Sequence, residues 1–171
     1  MSIIESVNGN TPIFGKECFL ATNATVVGDV IMGDYCSVWF NAVVRGDVNS
    51  IKVGSYTNIQ DGAVIHCTYQ KTETTIGNYV SIAHNAIVHG CTIHDKVLVG
   101  MGAIVMDHSI LESGSIIAAG SVVLENTHVE ANSIYAGTPA KKVKEVGENM
   151  KDIFMRTANN YVKYSKWYDH D

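Results

Sequence analysis

Apolar residues recur at every sixth position along most of the chain. From residue 93 to residue 135 every sixth residue is aliphatic or aromatic, and a mostly small residue stands four positions after each. The same phase holds over residues 14–44, 53–65 and 76–88, which makes twenty hexads with three breaks in phase. A period of six fits neither a helix nor an alternating strand. Because it is typical of a β-helix in which three hexads close one triangular coil, we predict an all-β solenoid of about six to seven coils.

Three histidines fall at defined places on this repeat. His66 and His89 are the second residues of hexads that lie three apart, so they share a face in adjacent coils. Their rings should therefore stack about 4.8 Å apart. Arg45 lies one coil earlier in the same column, whereas His84 lies on the preceding face with Asp61 as its counterpart one coil earlier. Two of the breaks in phase, predicted as loops at residues 46–52 and 67–75, border this cluster, and loops on a rigid scaffold often carry function.

The three histidines predict a metal site shared between subunits. One chain does not obviously bring His66, His84 and His89 to one ion, but a symmetric trimer of three-faced prisms would. Three neutral imidazoles with an open fourth position are typical of catalytic Zn²⁺, which lowers the pKa of bound water towards 7. We expect surface roles for the other four histidines, which are His94, His108, His128 and His170.

The same polar residues stand in motifs that resemble those of the γ-class carbonic anhydrases and their hexapeptide-repeat relatives. The matching segments are VRGD at 44–47, NIQDG at 58–62, IH at 65–66, IAH at 82–84, VHG at 88–90 and AGTPA at 136–140. The resemblance implies a left-handed parallel β-helix of hexapeptide repeats that assembles as a homotrimer. It implies that His66 and His89 of one subunit and His84 of the next bind Zn²⁺, with Fe²⁺ and Co²⁺ as alternatives. The implied reaction converts CO₂ and water to bicarbonate and a proton.

The resemblance also implies roles for the polar neighbours of the histidines. Arg45 and Asp47 would form an ion pair at the interface, or a purely structural pair. Gln60 would orient the attacking hydroxide, and Asn58 and Asp61 would support the pocket. From the residues alone, either Gln60 or Asp61 could hold the hydroxide proton, and Asp61 could instead anchor a histidine ligand.

One departure from the family pattern concerns proton transfer. The archetype of the class has a Glu soon after its Arg-x-Asp motif and a long acidic loop after the first histidine. Here Val48 follows Asp47, and the loop at residues 67–75 holds one acid, Glu73. Because the proton must leave the site in every turnover, we expect an intact site with slow CO₂ hydration.

The pattern changes after residue 140. Aromatic and apolar residues then recur at helical spacing, which predicts an amphipathic helix over residues 148–168 that lies on an outer face of the prism. We therefore divide the chain into a β-helix at 1–140 and a C-terminal helix at 141–171. The aromatic stripe of this helix is expected to serve packing, and Tyr161 is the candidate to approach the metal pocket.

Composition narrows the location and the partners. The 171 residues carry a net charge of −5 without a basic run, which argues against nucleic acid and anionic membranes as partners. Neither a signal peptide nor a stretch of eighteen apolar residues is evident, so the cytoplasm is expected. Four cysteines without a C-x-x-C motif fit a reducing compartment.

Two other functions are compatible with the same sequence. Hexapeptide acyltransferases and thioesterases that act on coenzyme A thioesters share the repeat and the GTPAK-like ending, and they often use a histidine as general base. A structural subunit whose metal only stabilises a trimer is the third possibility. Three histidines together with Gln60 and Asp61 exceed what one general base requires, which favours the carbonic anhydrase.

Overall fold

The computed structural model, which describes residues 1–168, is a β-solenoid followed by one α-helix. The strands are β1 Ile3–Glu5, β2 Ile13–Phe14, β3 Phe19–Leu20, β4 Thr25–Met32, β5 Ser37–Val38, β6 Val43–Val53, β7 Asn58–Ile59, β8 Val64–His66, β9 Thr74–Ile76, β10 Ser81–Ile82, β11 Ile87–His89, β12 Thr92–Ile93, β13 Leu98–Val99, β14 Ile104–Val105, β15 Ile110–Leu111, β16 Ile116–Ile117, β17 Val122–Val123, β18 His128–Val129, β19 Ser133–Gly137 and β20 Ala140–Glu145. The helix α1 spans Ile153–Ser165, with single 3-10 turns at Glu148–Met150 and Lys166–Tyr168.

The strands stack into three parallel faces, which confirms the predicted left-handed β-helix with about seven turns. The first face contains β1, β8, β11, β14 and β17 and the first halves of β4 and β6. The second face contains β2, β9, β12, β15 and β18 and the second halves of β4 and β6. The third face runs from β3 through β5, β7, β10, β13 and β16 to β19, and β20 closes it with an antiparallel pairing.

The inward position of each hexad builds the core. Ile59, Ile65, Ile82 and Leu111 are all 0% exposed, and they point into the prism from different faces. Removal of one such side chain from water stabilises the fold by about 1.5–3 kcal/mol. The stacked ladder of aliphatic side chains therefore fixes the register that carries the polar residues outside.

The prediction of a loop at residues 46–52 is wrong. Those residues belong to β6, which continues from the first face to the second. β6 pairs with β4 along both faces, and the pairing shifts register between Gly28 and Val30 of β4. The extra residues lengthen the strand, because Gly28 and Gly46 let the two backbones pass closely where a Cβ would collide. The second expected loop is present, since residues 67–73 form a turn before β9.

The C-terminal segment differs in its bounds from the predicted helix. The strand β20 extends the third face to Glu145, beyond the expected division at residue 140, and α1 begins at Ile153. As expected, the helix lies on an outer face, because Phe154 packs with Ile116 and Ile134 of the third face. Within residues 1–168, no helix has the length and apolarity needed to cross a membrane.

Candidate metal centre

Strand register brings two of the predicted ligands together. His66 ends β8 and His89 ends the neighbouring β11, and the two residues are register partners. His66 Nδ1 lies 3.2 Å from His89 Nε2, and the ring planes are inclined at 60°. Arg45 lies one coil before His66 in the same column, because Val44 pairs with Ile65. The column expected from the hexads is therefore present.

Carboxylates hold the other ring nitrogen of both histidines. His66 Nε2 lies 3.0 Å from Asp47 Oδ1, and His89 Nδ1 lies 2.5 Å from Asp107 Oδ1. Since an ionised carboxylate only accepts hydrogen bonds, these nitrogens carry the ring protons. Burial lowers the pKa of His66, which favours its neutral form. When both rings are neutral, the lone pairs of His66 Nδ1 and His89 Nε2 therefore face each other.

Two lone pairs that face each other fit a shared cation. A tetrahedral zinc ion with Zn–N bonds of 2.0–2.1 Å separates two nitrogen ligands by about 3.3 Å. The observed separation of His66 Nδ1 and His89 Nε2 is 3.2 Å. A hydrogen bond between two neutral rings would instead leave either Asp47 or Asp107 facing an imidazole lone pair, so without a metal ion this arrangement requires one of the two rings to be protonated. The residues present therefore fit the metal that the sequence predicts.

Asp47 ties the histidine column to Arg45. Its Oδ2 accepts a hydrogen bond from Arg45 Nη1 at 2.5 Å, while its Oδ1 faces His66. Burial alone would raise the pKa of Asp47, but the hydrogen bonds from Arg45 and His66 outweigh burial and lower it. Asp47 stays ionised and fixes the orientation of His66. The ion pair expected between Arg45 and Asp47 lies within one chain.

Asp107 is a candidate site residue that the sequence reasoning missed. Its Oδ2 accepts a hydrogen bond from Thr68 Oγ1 at 2.5 Å, and its Oδ1 faces His89. Burial would raise the pKa of Asp107, yet the bonds from Thr68 and His89 lower it. The available signal was its place in the hexads, because Asp107 lies one coil beyond Gly90, directly beside His89.

His84 lies at a different corner of the prism. Its Nδ1 is 3.0 Å from Asp61 Oδ2, so Nε2 does not contact that carboxylate. The side chain of His84 is 39% exposed. This corner joins the third and first faces, whereas His66 and His89 lie beyond the first face. In the described part of one chain, no three His, Cys, Asp or Glu side chains are placed to hold a metal ion. A single chain thus separates His84 from the other two histidines, as the sequence indicates.

Gln60 and Asn58 form a buried polar pair beside the His84 corner. Gln60 Nε2 donates to Asn58 Oδ1 at 2.9 Å, and Asn58 Nδ2 donates to Ser81 Oγ at 2.9 Å. Both amides are nearly inaccessible, with 4% and 1% exposure for Gln60 and Asn58. Because a buried amide with fixed partners has one orientation, Gln60 is held in place next to Asp61.

Tyr161 of α1 reaches the same corner. Its ring packs edge-on against Trp39, with centroids 5.2 Å apart, and it shares a cavity with Asp61. Burial, and then the charge of Asp61, raise the pKa of Tyr161 to about 12. Tyr161 is therefore a neutral phenol at physiological pH.

The remaining histidines of the described chain lie on the surface. His128 Nε2 is 2.8 Å and His94 Nε2 is 3.8 Å from the carboxylate of Glu112, and all three side chains are at least 35% exposed. His108 is also exposed. The predicted surface role of His170 concerns a residue outside residues 1–168.

Comparisons with known proteins identify the family of this chain. The family model for bacterial transferase hexapeptide (six repeats) matches residues 90–125. A protein of Methanocaldococcus jannaschii named "Probable carbonic anhydrase" is 44% identical over 154 residues, which cover 90% of this chain and 96% of the relative. The chain belongs to the γ-class carbonic anhydrase family of hexapeptide-repeat proteins.

Of two further similar proteins, one is longer than this chain and the other is named as a transferase. Gamma carbonic anhydrase 2, mitochondrial, of Arabidopsis thaliana is 37% identical over 166 residues. Those residues cover 94% of the present chain, which spans only 60% of the length of the Arabidopsis protein. The crystal structure of a hexapeptide transferase family protein from Anaplasma phagocytophilum superposes with a TM-score of 0.93 and 38% identity, covering 97% of this chain and 98% of that one.

Proposed function

We propose that this chain is a metal-dependent carbonic anhydrase that hydrates CO₂ to bicarbonate at the interfaces of a homotrimer. The observation that carries this proposal is the 3.2 Å distance between His66 Nδ1 and His89 Nε2, whose rings each have a carboxylate at the other nitrogen. The ligand set would be His66 and His89 of one subunit and His84 of the next. Three imidazoles suit Zn²⁺ best, with Fe²⁺ and Co²⁺ as alternatives.

The outer surface of the first face supports the trimer. Neighbouring coils of this face present aliphatic, partly exposed outward side chains at Val43, Val64, Ile87, Ile104 and Val122, and Ile87 is 38% exposed. Contiguous apolar surface of this kind marks an interaction site. The face lies between the corner of His84 and the corner of His66 and His89. Threefold packing of this face would therefore join the two corners of adjacent subunits into one site.

The polar residues of the chain would each have a defined task. When bound, Zn²⁺ would act as a Lewis acid that lowers the pKa of a water ligand. Asp47, Asp61 and Asp107 hold the three histidines in the tautomers that a metal requires. Gln60, fixed by Asn58, would hold the proton of the attacking oxygen so that a lone pair faces carbon.

Two further residues of the site would shape the pocket rather than move protons. Arg45 would keep Asp47 ionised, as the ion pair between them indicates. Tyr161 would close the pocket with a neutral hydroxyl, because its pKa is about 12.

Proton release is the step that would limit the rate. Glu73, the one acid of the loop at residues 67–75, lies 3.8 Å from Lys52 and is 55% exposed. Lys52 belongs to the second-face half of β6, so this contact directs Glu73 away from the histidine column. The slow turnover expected from the sequence is therefore part of the proposal.

Stopped-flow CO₂ hydration tests the proposal directly. Zn²⁺-loaded protein and anaerobically Fe²⁺-loaded protein should both be assayed, with His89→Ala as the control. We expect measurable hydration that the substitution abolishes together with the bound metal. Metal-replete trimer without hydration activity would contradict the proposed reaction.

A second candidate function is acyl transfer or thioester hydrolysis with coenzyme A thioesters. The 38% identity and shared fold with a hexapeptide transferase family protein favour it. A coenzyme A binding titration separates the two functions, because micromolar binding is required for the second and is not expected for the first.

The location in the cytoplasm also stays a proposal. All four cysteines, Cys18, Cys36, Cys67 and Cys91, are free thiols, which suits a reducing compartment.

A further inference from the structure

A cavity of about 240 Å³ lies between the end of α1 and the third face. Six aromatic side chains and one carboxylate, Asp61, line it. The volume is below the roughly 300 Å³ at which pockets for drug-sized ligands begin, so the cavity suits a small group. It includes Asp61, the carboxylate that contacts His84.

The aromatic rings of this cavity pack against one another in its walls, and Tyr161 and Tyr168 both contact Trp39 edge-on, with ring centroids 5.2 and 5.8 Å apart. The buried residues of α1 are Phe154 and Ala158, which lie nearer its N-terminus. Tyr161 and Tyr164 form an edge-to-face pair at 5.6 Å, and Trp167 is 65% exposed at the rim. The aromatic stripe therefore packs the helix onto the prism, and its last rings also line the cavity.

The charge of the cavity is negative. Asp61 uses Oδ2 for His84, and its side chain remains 42% exposed. Within residues 1–168, no lysine or arginine lines the cavity. Tyr161 is uncharged because burial raises its pKa to about 12. The faces of Trp and Tyr rings attract cations, and this attraction strengthens where water is excluded.

We propose that this cavity binds a small organic ammonium ion, with the rings of Trp39, Tyr161 and Tyr164 around its methyl groups and Asp61 as its counter-ion. Methylated ammonium ions combine the apolar surface that rings prefer with a positive charge that cannot be lost. The cavity adjoins the proposed metal site because Asp61 contacts His84, but binding of the ammonium ion requires neither the metal nor CO₂ hydration.

Intrinsic fluorescence reports on this cavity selectively. The chain has two tryptophans, and both Trp39 and Trp167 line the cavity. The purified full-length chain is titrated with tetramethylammonium chloride at constant ionic strength, with sodium chloride and the uncharged neopentyl alcohol as controls. We expect a saturable change with the ammonium ion alone. An equal response to the alcohol, or a response without saturation, would overturn the proposal.

Substitutions identify the groups responsible. Tyr164→Leu keeps an apolar wall but removes a ring, and Asp61→Asn removes the charge. Each should raise Kd by between about three- and thirtyfold, while Tyr69→Leu, a change of an exposed tyrosine outside the cavity, should leave it unaltered. Unchanged affinity in both cavity variants, with native circular dichroism, would refute the site.

Chelation separates this inference from the proposed metal function. The same saturable change is expected before and after the metal is removed. Binding that disappears with the metal would show that the ammonium ion depends on the histidine site, and the cavity would then not be an independent site.

Discussion

At the residue scale, each candidate ligand is paired with a carboxylate. The pairs are His66 with Asp47, His84 with Asp61 and His89 with Asp107. The hexad grid predicted the column of His66 and His89 and the level of Asp61 beside His84, because position in a hexad fixes which face a side chain occupies. Asp47 was predicted from the family resemblance, as a partner of Arg45 and not of His66. It did not predict Asp107, since a corner residue can turn its carboxylate towards several neighbours and only the three-dimensional structure shows which one it contacts.

The missed residue gives a direct prediction. Asp107→Asn preserves the shape of the side chain but removes the charge that holds His89 Nδ1. We expect zinc affinity to fall by about 10–100-fold with the fold intact, as measured by competition with a chromophoric chelator. Glu130→Gln, which changes an exposed acid paired with Lys142, is the matched control. Equal affinities in the two variants would contradict the role of Asp107.

Tyr161 provides a prediction about pH. Its folded-state pKa is about 12, above the ordinary value of 10.0, so the folded protein binds this proton more tightly than the unfolded chain. The resulting stability is complete below pH 10 and is lost as the pH rises towards 12. Denaturant midpoints of the wild type should therefore decline more steeply over this range than those of Tyr161→Phe. Parallel profiles would refute the raised pKa.

At the element scale, the register of neighbouring coils positions the site. The six-residue period predicted the three faces and the stacking of His66 on His89, because apolar burial fixes register strongly. It could not predict that residues 46–52 continue β6, since added residues can either loop out or lengthen a strand. It also missed β20, whose lysine-rich sequence lacks the hexad pattern and covers the edge of β19.

Corner glycines allow a matched test at this scale. Gly62 and Gly120 have similar backbone angles, with φ of 70° and 67°, but a Cβ at Gly62 would collide with the side chain of Asn85 while one at Gly120 meets nothing within 4 Å. Gly120→Ala should cost about 1 kcal/mol of unfolding free energy through backbone strain alone. Gly62→Ala should cost more than Gly120→Ala, because the side chain of Asn85 must also rotate away from the new Cβ.

The same pair of variants also reports on the metal site. The N–H of Asn85 donates to the carbonyl of Asp61, and His84 is the preceding residue, so a displaced Asn85 would move a ligand. We expect weaker zinc binding in Gly62→Ala and unchanged zinc binding in Gly120→Ala. Urea denaturation and metal titration measure the two effects, and equal losses in both variants would argue against this corner as a site.

At the scale of the whole molecule, the account depends on contact between first faces. Ile87 on the first face and Ile110 on the second face are each 38% exposed, which makes them a matched pair. Ile87→Asp should dissociate the trimer and lower zinc affinity together, because His84 is supplied by the neighbour. Ile110→Asp should leave both unchanged. Light scattering after size exclusion measures the mass, and trimers in both variants would place the interface elsewhere.

Subunit mixing tests the central claim, a metal site shared by two subunits, most directly. His84→Ala and His89→Ala each remove a ligand from every site of their own homotrimer, so neither should hydrate CO₂. A mixed trimer restores a site wherever intact His66 and His89 of one chain meet intact His84 of the next. After unfolding and refolding together in equal amounts, about a quarter of the sites and of the hydration activity should return. A mixture as inactive as its two parents would contradict the shared site.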